Sequence, residues 1–76
     1  RSTYDVSKLH WIAPIDHYKD LTVKLRHSPI VFGCEVEVLD DTRLRISLDT
    51  QDAGVASGQF TVFYRDDECL GGAVIE

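Results

Sequence analysis

Polar and apolar residues alternate along much of the chain with a period of two, the spacing of a strand that buries one face. The clearest run is 21–26, where Leu21, Val23 and Leu25 face one way and Thr22, Lys24 and Arg26 the other. His27, Ser28 and Pro29 break it; an apolar stretch at 30–32 follows, and Gly33 marks a bend or bulge. Residues 34–48 read as a hairpin. Val36 and Val38 point inward on its first arm and Leu44, Ile46 and Leu48 on its second. Leu39, Asp40, Asp41 and Thr42 carry turn chemistry. A loop over 40–42 pairs Val38 with Leu44, Val36 with Ile46 and Glu37 with Arg45. Slipping that register by a single residue would send the apolar set to the wrong face.

Upstream, the alternation is loose and predicts a short strand near 8–12. Pro14 blocks a ladder position, so 13–20 read as a loop. Downstream, the polar stretch 49–53 leads through a turn at Gly58 and Gln59 into a strand over 60–64. That strand is apolar on both faces, with Phe60, Val62 and Tyr64 on one and Phe63 on the other. An acidic turn at 65–68 precedes a last strand over 69–76, where Gly71 and Gly72 favour sharp curvature or close backbone approach. No segment has a helical period. Short strands joined by turns predict an all-β fold, a small antiparallel β-barrel. The expected core is Val23, Leu25, Val36, Val38, Leu44, Ile46, Val62 and Val74. The chain reads as one domain, with 1–20 a lead-in segment of short strand and loop and 21–76 the barrel.

Composition agrees with strands: β-branched and aromatic residues are plentiful and good helix formers scarce. Charge narrows the partners. Lys and Arg number 8 against 13 Asp and Glu, a net charge of −5. A free-standing nucleic-acid binder is usually basic, because neutralising phosphates supplies much of its affinity. Any RNA contact here must come from a local basic stripe. No apolar run approaches the roughly 20 residues that span a membrane as a helix. The chain begins at Arg1 and contains no Met, so it reads as a piece of something longer.

Catalytic chemistry is not visible. Gly71 and Gly72 are followed by no helix, so they form no phosphate loop. His10, His17 and His27 lack ligand spacing, and the carboxylates Asp40, Asp41, Asp66, Asp67 and Glu68 fall in turns. Ser57 has no nucleophile elbow. Cys34 and Cys69 make no CxxC and read as reduced core thiols. No catalytic residue and no metal site is expected.

The last third of the chain carries a resemblance. Ala56-Ser57-Gly58-Gln59-Phe60-Thr61-Val62-Phe63-Tyr64, then Asp67-Glu68-Cys69-Leu70-Gly71-Gly72-Ala73-Val74-Ile75, resembles the end of the tRNA-specific 2-thiouridylases. His10-Trp11-Ile12-Ala13 looks like that family's segment entering its C-terminal domain, and Val23-Lys24-Leu25-Arg26 like the first barrel strand. Departures are Ala73, where the family usually has glycine, and His27, where it often has Tyr. The resemblance implies a β-barrel similar to the second domain of translation elongation factors, thought to help hold tRNA. It implies a parent that activates the wobble uridine with ATP and replaces its 2-oxygen with persulfide sulfur. The ATP loop and both catalytic cysteines of such enzymes belong to upstream domains, so neither Cys34 nor Cys69 inherits their role, and this piece is no enzyme and holds no cofactor. The implied partners are tRNA and the upstream catalytic domains of the same chain, with no membrane and a monomeric state. The implied compartment is the bacterial cytoplasm or a mitochondrion or other organelle.

Candidate RNA-binding residues are Lys24, Arg26 and His27 on one outward face, with Arg43 and Arg45 on another strand. Such spacing lets cations meet successive phosphates. The competing expectation is that Glu35 and Glu37 neutralise Arg43 and Arg45 across the hairpin. The competing function is an interdomain structural module that touches no RNA.

Overall fold

The computed structural model describes residues 3–25, 30–50 and 55–76, which form β1 (Thr3–Trp11), β2 (Thr22–Leu25), β3 (Val31–Asp40), β4 (Arg43–Leu48), β5 (Phe60–Arg65) and β6 (Glu68–Ile75). No helix occurs among the described residues. All pairings are antiparallel, and the order β1-β4-β3-β2-β5-β6 closes on itself as a barrel. The expected all-β barrel is therefore the fold.

The β3–β4 hairpin adopts the expected register, with Val36 opposite Ile46, Glu37 opposite Arg45 and Val38 opposite Leu44. Its turn is tighter than the sequence suggested. Asp40 pairs with Arg43, so Leu39 is the extra residue of a bulge. The Asp40 carboxylate accepts hydrogen bonds from the Thr42 N–H at 2.8 Å and hydroxyl at 3.0 Å. These local bonds hold the Asp41-Thr42 reversal.

Tyr4, Val6, Leu21, Val23, Leu25, Leu44, Ile46, Leu48, Phe63, Leu70, Ala73 and Ile75 form the buried interior. Half of the expected core departs from this. Val38 is 55% exposed and Val36 half-buried, although their partners Leu44 and Ile46 are buried. The cause is local: β2 stands beside β3 only along Val31–Gly33, so the far half of β3 has β4 alone as a neighbour. Val62 and Val74 are also only half-buried. Strand β5 turns Thr61 and Phe63 inward instead, opposite Ala73 and Gly71. A strand apolar on both faces gives alternation nothing to choose by. The choice is made by partners: Phe63 packs on Trp11 with ring centroids 5.1 Å apart, and Thr61 shares a buried hydrogen bond of 3.2 Å with the Tyr4 hydroxyl.

Strand β1 begins well before the expected 8–12 and is a stave of the barrel, with β4 on one side and β6 on the other. A bulge lies between Ser7 and His10, where Lys8 takes φ 53°. Beyond it, the β1 backbone comes so close to β6 that a Cβ on Gly71 would collide with the His10 carbonyl oxygen. Gly58 has φ 85°, as the turn before β5 requires. The Gln59 side chain ties that turn by accepting from the Ala56 N–H at 2.9 Å. Gly58 and Gln59 then join the end of β6 through two 2.8 Å bonds with Ile75. Both cysteines are free and half-buried. Burial, with Asp49 nearby, raises the Cys34 thiol to about 11, so it stays protonated near neutrality.

Candidate nucleic-acid interface

Of the five candidate residues, the structure describes Lys24, Arg43 and Arg45; Arg26 and His27 lie outside the described residues. Lys24 is on β2 and the two arginines on β4, with β3 between. Two faces result rather than one stripe.

On the β4 face, alternation turns Arg43 and Arg45 outward between buried Leu44 and Ile46. Antiparallel pairing with β1 then sets Asp5 directly opposite Arg45. The Arg45 guanidinium donates to both Asp5 oxygens, at 2.8 and 3.3 Å. The Glu76 N–H donates to the Asp5 carbonyl at 2.9 Å and so brings the Glu76 carboxylate to Arg43. Arg43 grips that carboxylate through two bonds of 2.9 Å. It also lies 3.6 Å from Asp5 and 3.8 Å from Asp40. Hydrogen bonding and charge raise both arginines above their ordinary values. The Glu76 carboxyl is lowered, chiefly by its hydrogen bonds from Arg43. Cross-hairpin neutralisation by Glu35 and Glu37 is thus corrected. Glu37 does stand opposite Arg45 and Glu35 opposite Ser47, but the guanidinium bonds go to Asp5 and Glu76.

The β2 face is different. Lys24 lies between buried Val23 and Leu25 and so projects outward, half-buried. Its cross-strand neighbours are Val31 on β3 and Val62 on β5. Phe60, Val62 and Tyr64 share the outward face of β5, since Thr61 and Phe63 take the inward one. Together with Lys24 and Leu25 they line an open groove of about 380 Å³. Phe60 is 39% exposed and Val31 52%. Gly72, opposite Val62, leaves the room that the Phe60 ring occupies; a Cβ there would stand 2.5 Å from the ring. Among the described residues Lys24 enters no ion pair.

A larger hollow, about 610 Å³, lies between 18–22 and the start of β3. Its lining includes Asp20, Glu35 and Asp49 against Lys19 alone, the wrong sign for phosphate. Arg65 carries a role the sequence did not disclose. Instead of sitting in a solvated acidic turn, it donates to the His17 carbonyl at 2.8 Å and approaches the His17 ring nitrogen at 3.3 Å. It pins the loop that follows β1. No local signal links residues 48 apart in sequence. Among the described residues no group of His, Cys, Asp or Glu side chains is arranged to hold a metal ion.

Residues 1–75 match the family described as the aminomethyltransferase β-barrel domain. The chain is 40% identical over 72 residues to the tRNA-specific 2-thiouridylase MnmA of Actinobacillus pleuropneumoniae, covering 92% of this chain and 18% of that protein. It is 41% identical over 71 residues to the protein of the same name from Proteus mirabilis, covering 91% and 19%. With that of Vibrio campbellii the identity is 39% over 72 residues, covering 92% and 19%. The chain thus spans about a fifth of the length of these curated relatives.

Proposed function

The chain belongs to the aminomethyltransferase β-barrel domain family, and from that premise we propose that it is an accessory barrel of a tRNA-specific 2-thiouridylase that helps hold tRNA during thiolation of the wobble uridine. ATP use, the persulfide sulfur and the catalytic cysteines belong in this reading to the rest of the parent chain. The barrel itself performs no catalytic step.

The observation that carries the reading is Lys24 on an outward face, in no ion pair among the described residues and followed in sequence by Arg26 and His27. A cation without a carboxylate partner can exchange its counterions for an RNA phosphate at no cost in broken ion pairs. Arg43 and Arg45 would first have to release Asp5 and Glu76, so they contribute less than Lys24. The net charge of −5 makes binding weak and dependent on the rest of the parent.

A second reading is favoured by a separate observation. The apolar lining around Lys24 suits a structural module that packs on the parent's other domains and touches no RNA. The experiment measures tRNA affinity of the protein against salt, for wild type and for Lys24→Glu/Arg26→Glu. Phosphate contact predicts weaker binding and a salt slope shallower by about one unit per lost contact. An unchanged affinity and slope in a folded double variant would hand the case to the structural module.

A further inference from the structure

The groove around Lys24 has a chemistry that phosphate binding alone does not require. Its wall carries aromatic rings at both ends of the outward β5 face, Phe60 and Tyr64, with Val62 and the Lys24 stem between them. Successive outward positions on a strand are roughly 6.6 Å apart, so the backbone positions that carry the two rings are separated by about 13 Å. A single-stranded nucleic acid binds by this combination: aromatic faces that take bases and a cation that follows the backbone. A duplex offers its phosphates but keeps its base faces stacked inside. Its outer surface would leave Phe60 and Tyr64 unpartnered.

We infer that the Phe60–Lys24–Tyr64 groove takes an unpaired stretch of RNA, with a base stacked on Phe60 or Tyr64 and the adjoining phosphate at the Lys24 ammonium. This rests on the tRNA-contact reading above and narrows it to non-helical nucleotides. Size and charge both fit. A hollow of about 380 Å³ is in the range of about 300–1,000 Å³ of small-ligand clefts, room for about one nucleotide rather than a helical face. Lys24 is the cation among the groove's lining residues, and no described carboxylate is paired with it. The groove is therefore complementary to a group carrying one negative charge beside an apolar ring.

The test titrates the 76-residue chain with a single-stranded oligouridylate decamer and, separately, with a blunt RNA duplex. Binding is followed by amide chemical shifts and repeated at several salt concentrations. The informative variant is Phe60→Leu/Tyr64→Leu, which keeps apolar bulk, and hence the fold, while removing both rings. Lys24→Gln is the companion. Stacking predicts that the leucine variant loses about five-fold or more in single-strand affinity per stacked base, with the salt slope unchanged. Lys24→Gln should lower that slope by about one unit. Shifts in the wild type should centre on β2 and β5, and the decamer should bind more tightly than the duplex. If Lys24→Gln weakens binding while the leucine variant does not, or if the duplex binds as well as the decamer, stacking is overturned and phosphate contact stands. If neither variant changes RNA binding, both readings fall and the groove is a docking face for another protein domain.

Discussion

Two faces of one barrel handle positive charge in opposite ways. Along β1 and β4, Arg43 and Arg45 are gripped by Asp5 and Glu76 at 2.8–2.9 Å. Along β2 and β5, Lys24 shares a groove with Phe60, Val62 and Tyr64 and meets no carboxylate among the described residues. Counting cations in the sequence treats Arg43, Arg45 and Lys24 alike, yet of these three Lys24 alone enters no ion pair among the described residues. Exposed ion pairs add little stability. The main consequence of the first arrangement is therefore to cancel a basic patch that would otherwise attract polyanions. What decides a cation's availability is the strand placed next to it. For Arg45 that strand is β1, supplying Asp5; for Lys24 the neighbours supply valines.

The faces are joined through the interior, and the largest expected effect lies there. The Tyr4 hydroxyl comes from β1, beneath the ionic face, and the Thr61 hydroxyl from β5, beneath the groove. Both residues are fully buried. Thr61→Val leaves the Tyr4 hydroxyl without a described partner, which costs about 1–3 kcal/mol. A domain of this size has marginal stability, so chemical denaturation should show the loss clearly. The double variant Tyr4→Phe/Thr61→Val should recover most of it, because no polar group is then stranded. A double variant as unstable as Thr61→Val alone would show that the bond is not what couples the two halves. The same burial has an alkaline consequence. Burial raises the Tyr4 phenol from 10.0 to about 12. Because the folded value is the higher one, this stability is complete below pH 10 and is lost as pH rises through 12.

How much of this contrast was readable in advance follows from sequence distance. The β3–β4 register was legible because apolar alternation and a local turn act on neighbouring residues. Asp40 and Thr42 fix that turn two residues apart. The turn at Gly58 and Gln59 was legible for the same reason. The inward face of β5 was not. Phe60, Val62 and Tyr64 outweigh Thr61 and Phe63 in hydrophobicity, yet Trp11 and Tyr4, both from β1, select the second set. The partners of Arg43 and Arg45 were missed likewise. Glu37 is the cross-strand neighbour within the hairpin, whereas Asp5 is 40 residues from Arg45 and Glu76 is 33 from Arg43. Lys24 was identified from alternation alone, but the aromatic wall beside it depends on β2 pairing with β5.

The contrast can be broken by removing the carboxylate that silences the ionic face. Asp5 accepts from Arg45 and lies 3.6 Å from Arg43. Asp5→Asn keeps the size of the side chain and removes its charge. Arg45 is then released, while Arg43 keeps Glu76. RNA affinity of this variant should rise above wild type, and its salt slope should steepen by up to about one unit. Neutralising Arg45 itself, as Arg45→Gln, should change RNA binding less than Lys24→Gln does. Were Arg45→Gln the more damaging of the two, the ionic face would be the true contact surface.

The smallest expected effect separates the faces by pH. Hydrogen bonds from Arg43 hold the Glu76 carboxyl below its ordinary 4.5, and bonds from Thr42 hold Asp40 below 3.8. For a carboxyl whose folded value is depressed, the stability it adds is present above the unfolded value. That stability is lost as pH falls through the folded one. Acid should therefore loosen the ionic face as pH falls below the ordinary carboxylate range, where Glu76 and Asp40 take up protons. Lys24 has no carboxylate partner among the described residues, so its surroundings have no such reason to change. Side-chain and amide shifts followed from pH 6 to pH 2.5 should move first at Arg43, Glu76 and Thr42. Residues Val62 and Tyr64 of the groove should stay in place until the barrel unfolds as a whole. Each exposed pair is weak, so the unfolding midpoint should shift only slightly over the first part of this range. Simultaneous movement of both faces would mean that β1 carries the loss of Glu76 through the Tyr4–Thr61 link into β5, and that the two surfaces respond to charge as one unit.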